Sequence, residues 1–274
     1  MARVCLALIL TFTATALFAQ AAPDDAVLKL AEPDFTLVAL PTSLRLPQYG
    51  SAIRITHRFT RPLNCDTCAN SLAGDGFSID GGAQIGLEYR FGIVPNGQLV
   101  VHRSSDKTVN LSGLYGITRQ SAGMPVEVAA LVGIEATNVG RKDTASEYSP
   151  VVGAVIGHTL GEDAAFYVEP MFVHHATVFH LAGPGNNDST FMVGLGTRVK
   201  VRPTVYVTAE FTPRVSGYKP GVNQGSFAIE KRAGGHMFQL NVSNGLSTTT
   251  GGLARGGPSG NDWYLGFNLT RKFF

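Results

Sequence analysis

The sequence predicts an all-β protein: a transmembrane antiparallel up-and-down β-barrel of about twelve strands, with both termini periplasmic. Three observations carry this expectation. First, side chains of a strand point to opposite faces in turn. In the last segment, Trp263, Leu265, Phe267, Leu269 and Phe273 fall on one face, and Tyr264, Gly266, Asn268, Thr270 and Lys272 on the other. The segment ends on an aromatic with no polar tail, and a strand edge left unpaired invites aggregation unless closure pairs it. Second, charged residues make up 15% of the chain, against about 25% in ordinary soluble domains. Third, the connections sort by parity, mostly long after odd strands and short after even ones, which is the habit of outer-membrane barrels. A soluble β-sandwich is the fold most easily confused with this one. It predicts neither the missing charge nor the parity.

The N-terminus reads as a secretory signal: Arg3 is its positive region, Val4 to Phe18 its apolar core, and Ala19-Gln20-Ala21 a small-x-small cleavage site. An apolar run of about 15 residues is short for spanning a bilayer. Residues 1–21 are therefore expected to be cleaved, taking Cys5 with them. No later segment is apolar over the roughly 18 residues a spanning helix needs.

Residues 22–48 are irregular and hold Pro23, Pro33, Pro41 and Pro47. Val27–Glu32 suits a helical turn and Phe35–Leu40 a short strand. The expectation is a periplasmic lead-in or a partial plug, followed by the barrel over 49–274.

From Gly50 the pattern becomes strand, turn, strand, with little helical period. Ser51–Thr60 sets Ile53, Ile55, His57 and Phe59 against Arg54, Thr56 and Arg58. Ile79–Phe91 sets Ile85, Leu87, Tyr89 and Phe91 against Gln84, Gly86, Glu88 and Arg90. Gln98–Ser104, Lys107–Arg119, Val126–Thr137, Tyr148–Leu160 and Ala165–Thr177 follow. Phe191–Val201, Thr204–Pro213, Phe227–Arg232, His236–Val242 and the final strand complete the set. Several reach the ~10 residues a tilted spanning strand needs. The long connections are 61–78, 138–147, 178–189, 214–225 and 243–261, with a tight turn at Ser105-Asp106 as the exception. The short ones are Pro95-Asn96-Gly97, Gly123-Met124-Pro125, Gly161-Glu162-Asp163, Arg202-Pro203 and Gly234-Gly235.

Alternation assigns twelve charges to the lumen: Arg54, Arg58, Glu88, Arg90, Glu127, Glu135, Glu169, Arg198, Lys200, Glu210, Glu230 and Arg232. An unpaired charge in a narrow low-dielectric bore is costly. The set therefore reads either as a salt-bridge network propping the barrel or as the lining of a polar pore or solute site. The equal numbers of acids and bases speak against a strongly ion-selective porin.

Other constellations carry less chemistry. Cys65-Asp-Thr-Cys68 lies in the first long loop; Ala69 stands where haem attachment needs His, and no further zinc ligand is near. A local disulfide is the expectation in an oxidising compartment. His174, His175, His180 and His158 read as loop or interface histidines, so no metal and no cofactor are expected. No Gly-x-Ser-x-Gly occurs, Ser104 and Ser105 near His102 are a chance-level pairing, and Gly251-Gly252 and Gly256-Gly257 are not phosphate loops. No catalytic residue is assigned. The net charge of +2 is dispersed, which argues against a nucleic-acid partner.

Several stretches in combination resemble a bacterial family of uncharacterised outer-membrane β-barrels, a domain of unknown function. They are Ser51-Ala-Ile-Arg-Ile-Thr-His-Arg-Phe59, Gly86-Leu-Glu-Tyr-Arg90, His102-Arg-Ser-Ser-Asp-Lys-Thr108, Gly113-Leu-Tyr115, Gly234-Gly-His-Met-Phe-Gln-Leu-Asn-Val-Ser-Asn244 and Gly266-Phe-Asn-Leu-Thr-Arg271. The resemblance covers roughly 45–274 and implies a fold and a compartment, with no activity to transfer. It also implies delivery by the barrel-assembly machinery through a C-terminal signal: Trp263, Leu265, Phe267, Leu269, Phe273 and Phe274. Such signals usually alternate in phase with the last residue, whereas Phe274 lies one beyond the phase set by Phe273.

The functional expectation is a narrow solute channel or a structural or partner-binding barrel, surrounded by outer-membrane lipid and holding at most a small solute. The alternative is an outer-membrane enzyme that modifies lipid.

Overall fold

The computed structural model describes residues 30–65, 68, 70–142, 146–176 and 189–274. The expected signal segment and His180 lie outside the described residues. The strands are β1 Ser51–Phe59, β2 Ala83–Val94, β3 Gly97–Ser104, β4 Val109–Thr118, β5 Glu127–Thr137, β6 Glu147–Leu160 and β7 Ala164–Val173. They continue as β8 Thr190–Arg202, β9 Val205–Thr212, β10 Arg214–Ser216, β11 Gln224–Ala233, β12 His236–Ser243 and β13 Tyr264–Phe273. The three-residue β10 continues the β9 edge past Pro213 along β8, so the wall is twelve strands around. Each strand pairs antiparallel with its neighbour. The last closes on the first from Ser51↔Phe273 to Arg58↔Gly266. No edge is left open along this seam, which is how a barrel removes the hazard of an exposed strand.

The two-residue period sorts the wall. Ile55, Leu87, Val101, Leu111, Val207, Ile229 and Leu240 face outward and exposed, while Arg54, Glu88, His102, Asn110, Thr208, Glu230 and Gln239 face inward and buried. Outward aromatics gather toward both rims. Tyr89, Tyr115, Phe166, Phe238 and Phe273 stand toward the short-turn end, and Tyr148, Phe172, Phe191, Phe211 and Phe227 toward the long-loop end. Two aromatic belts flanking an apolar band are what a bilayer selects.

Sequence and structure differ at particular places. The second strand starts at Ala83, not Ile79, because Ile79–Gly81 forms a 3-10 turn. The seventh ends at Val173, before His174-His175. Phe35–Leu40 is not a strand. It is the tip of a tight hairpin bridged only at Thr36↔Pro41 and closed by Leu37 N–H to Leu40 O. One α-helix occurs among the described residues, α1 Thr250–Arg255, capped by the Thr249 hydroxyl.

The interior is packed rather than hollow. Residues 31–46 fold into the barrel, and Ala31, Leu37, Ala39 and Leu40 join inward Val100, Leu114, Leu131, Val155, Met171 and Met192 in one apolar core. Leu253 and Ala254 of α1 reach the same core from the long-loop side. A second cluster, Phe35, Leu44, Leu46 and Ala52 with Phe274, lies at the short-turn rim. Phe274 therefore departs from the outward face for a physical reason. Its ring packs edge-on to Phe35 at 6.4 Å, under the hairpin.

Candidate functional site: the plugged lumen

The hairpin is held through its backbone. At its tip the N–H groups of Val38, Ala39 and Leu40 all donate to Glu210, at 2.9 to 3.1 Å. Three successive amides converging on one carboxylate make a compact anion nest. The carbonyls are met by cations and amides of the wall. Arg54 donates to Val38 O at 2.6 Å, Arg198 to Thr36 O at 2.7 Å, and Gln239 to Leu37 O at 3.0 Å. Asn268 also reaches Val38 O. Toward the rim, Gln98 accepts from Leu46 N–H and donates to Leu44 O. Arg45 donates to Thr118 O and Val128 O. These contacts match the rule that buried peptide groups must be paired; here the wall supplies partners that a sheet would normally give.

Side chains of the hairpin are seated in the same way. Glu32 accepts from the Tyr167 hydroxyl at 2.7 Å and from Ser43. Asp34 accepts from Thr270 and lies 4.0 Å from Lys272. Leu37 and Leu40 lie against Gly196 and Gly194: a Cβ at Gly194 would stand 2.7 Å from Leu40 Cδ2, and one at Gly196 would overlap Leu37. Gly92, Gly116 and Gly157 make equal room for Pro47, Arg45 and Ser43. The glycines on the inner wall are thus the mould of the hairpin.

The twelve charges assigned to the lumen have distinct surroundings. Arg198 and Glu230 form a closed ion pair at 2.7 Å, with Gln239 on the same carboxylate. Glu88 is shared by Arg90 at 3.0 Å and Arg54 at 4.0 Å. Glu135 pairs with Arg255 of α1 rather than with a wall residue. Arg58 donates to Asn268 and to its own strand at His57 O. Glu210 serves the hairpin. Glu127 accepts from Gln120 N–H near the short-turn rim. Lys200 is half-buried at that rim and pairs with Asp163 at 3.2 Å, while Arg232 is half-buried there and its backbone N–H donates to Thr204 O. Glu169 is fully buried beside Gly194 and Leu40, and neither carboxylate oxygen meets a protein donor.

Register aligns a polar row across the wall: Arg54↔Glu88, Glu88↔His102, His102↔Asn110 and Asn110↔Glu135. Two cavities lie on this side of the barrel, and the row lines the deeper one. A pocket of about 240 Å³ opens at the long-loop end between Asp106, Thr137, Arg141, Tyr218 and Arg255. Deeper, a cavity of about 40 Å³ is lined by Glu88, Arg90, His102, Asn110, Ser112, the hairpin and Thr248–Thr250. Arg255, which pairs with Glu135, lines the outer one. The hairpin closes the inner one toward the short-turn rim.

At the long-loop rim Cys65 and Cys68 are joined as a disulfide. His174 Nδ1 lies 2.8 Å from Ser189 Oγ, and the rings of His174 and His175 are 3.8 Å apart. No group of three or more metal-ligating side chains occurs among the described residues. Sequence reasoning missed the hairpin's contacts. The available signal was the run of inward-phase glycines, Gly194-x-Gly196 above all.

Comparison with known proteins agrees with this architecture. The solved structure of the NanC porin superposes with a TM-score of 0.52 at 8% identity, covering 82% of this chain and 100% of that one. An outer membrane channel from Pseudomonas putida F1 gives 0.49 at 13% identity, covering 83% and 97%. Outer membrane phospholipase A from Escherichia coli gives 0.44 at 11%, covering 82% and 90%. At 8% identity the likeness to the NanC porin is one of fold alone. No functionally curated protein matches the sequence. The family described as Membrane bound beta barrel domain (DUF5777) matches residues 35–273, hairpin included, and the chain belongs to that family of membrane-bound β-barrels.

Proposed function

We propose that the protein is a bacterial outer-membrane channel for small solutes that rests with its lumen closed by residues 31–46. In this reading the signal 1–21 is removed on export, and the assembly machinery inserts the barrel through its last strand. The short-turn rim, which carries both ends of the barrel, faces the periplasm. The observation that carries the proposal is a pair of cavities inside the barrel, one at the long-loop end beside Arg255 and one lined by Glu88, His102 and the hairpin, with the hairpin held there by hydrogen bonds and packing alone.

Planar-bilayer recordings of the full chain and of a variant lacking residues 31–46 test it. The full chain should be silent or open rarely, and the deletion should show discrete conductance steps. A folded deletion variant with no conductance would refute the channel.

The second reading is a lipid-modifying enzyme, favoured by the contact between Ser189 and His174. A serine nucleophile needs its histidine oriented by a third group, and no carboxylate lies against His174 among the described residues. Lipid hydrolysis by the pure protein, abolished in Ser189→Ala, would replace the channel reading with this one.

A further inference from the structure

Every carboxylate of the described strands lies on the inward phase. The outward phase carries cations, among them Arg103 toward the long-loop rim and Lys231 and Arg271 toward the short-turn rim. Register brings the last two together. Lys231 pairs with Phe238, Phe238 with Leu269, and Arg271 with His236, so the two cations flank Phe238 from β11 and β13. The Phe273 ring, 5.5 Å from the guanidinium carbon, and His236 Nδ1 at 3.4 Å orient Arg271. Neither cation forms an ion pair among the described residues. Beside them a groove of about 620 Å³ opens in the outer wall between Val205, Ile229, Phe238, Leu240, Phe267 and Leu269, with Lys231 on its border. Glu230 also borders it, but its carboxylate is turned into the lumen onto Arg198. Glu162 and Asp163 of the β6–β7 turn lie against Lys200.

We propose that this groove is a binding site for one anionic phospholipid, its acyl chain along Ile229, Leu240 and Phe267 and its phosphate between Lys231 and Arg271. Cations at a membrane rim attract anionic headgroups in general. The groove adds what an ordinary rim lacks: a shaped seat for the chain beneath partners for the phosphate. The Lys231 stem can lie along the apolar wall while its ammonium reaches the headgroup layer, and a guanidinium suits a phosphate oxygen pair. A second copy meeting this face across a two-fold axis would set the cations against their own counterparts. Only the leaflet rests on the proposed orientation: with the short turns toward the periplasm, the ligand is a phospholipid and not a lipopolysaccharide.

The site does not depend on conduction, so its test is separate from that of the channel. Native mass spectrometry of the full chain in detergent, offered equal phosphatidylglycerol and phosphatidylcholine of the same acyl chains, reads it directly. One phosphatidylglycerol should be retained with a preference of roughly tenfold. The double variant Lys231→Ala, Arg271→Ala should lose the preference, and Arg103→Ala should keep it. Leu240→Trp, which fills the groove and keeps every charge, should lower retention. Equal retention of the two lipids by the wild type overturns the proposal, as does a preference that survives in the folded double variant. A loss as large in Arg103→Ala would show that net charge alone selects the lipid and would also overturn it. Stronger retention of lipopolysaccharide than of phosphatidylglycerol would do the same. Conductance of the hairpin deletion has no bearing on any of these results.

Discussion

Replacing Glu210 with alanine should release the hairpin and leave the barrel intact. In the closed form, Val38, Ala39 and Leu40 donate to this one carboxylate, all three to Oε2 and Ala39 also to Oε1. A hydrogen bond to a charged group contributes about 1.5–3 kcal/mol. Three donors crowding one oxygen are not additive, so two full bonds are the fair count, or about 3–6 kcal/mol of docking energy. At 1.4 kcal/mol per tenfold, the docked-to-undocked ratio should fall by roughly two to four orders of magnitude. The wall ladder around Glu210, Gly196↔Glu210 and Ser226↔Glu210, is made of backbone bonds and survives the change. Two measurements read the effect: opening frequency in planar bilayers, and protease access to residues 31–46. Glu210→Gln keeps one acceptor oxygen and should fall between. A Glu210→Ala protein as silent and as protease-resistant as the wild type would show that the amide nest does not hold the hairpin.

Further outcomes follow from the same contacts. Leu40→Ala, fully buried against Gly194, should weaken hairpin docking by about 2–5 kcal/mol, again read as protease access with barrel unfolding unchanged. Val207→Arg places a charge on the outward face beside Ile229 and should destabilise the barrel by about 2–4 kcal/mol in lipid if it lies near mid-membrane. Lys231→Ala, outward at the short-turn end, should cost under about 0.5 kcal/mol. Mass spectrometry of protein from native membranes should find the mature chain starting near Ala22, in the outer-membrane fraction; intact residues 1–21 would contradict cleavage.

The barrel was legible because its rule is local. Period two in Ser51–Phe59 or Val205–Thr212 states which side chains share a face, and loop length states the up-and-down order. What those faces touch is not local. Arg198 reads on its strand as an inward cation needing an acid, and nothing nearby says that it also needs the carbonyls of Asp34 and Thr36, more than 160 positions away. The hairpin was opaque for the opposite reason. Residues 31–46 have neither strand nor helix period, because their peptide groups are paired by wall side chains instead of by a ladder. Phe274 shows the same limit: its broken phase is visible in sequence, but the cause is Phe35, which the sequence does not place beneath it.

Both ends of the hairpin lie in the short-turn half of the barrel. Glu32 sits beside Tyr167, near the start of β7, and Leu46 beside Gln98, near the start of β3. The described segment enters as a hairpin, with its tip at Leu37–Leu40. β1 can zip to β13 before the hairpin enters, and the hairpin can leave and return without breaking a rung of that seam. If the proposed channel opens by releasing the hairpin, order of assembly and order of opening are decoupled: membrane insertion commits the ladder once, and the lumen can open without undoing it.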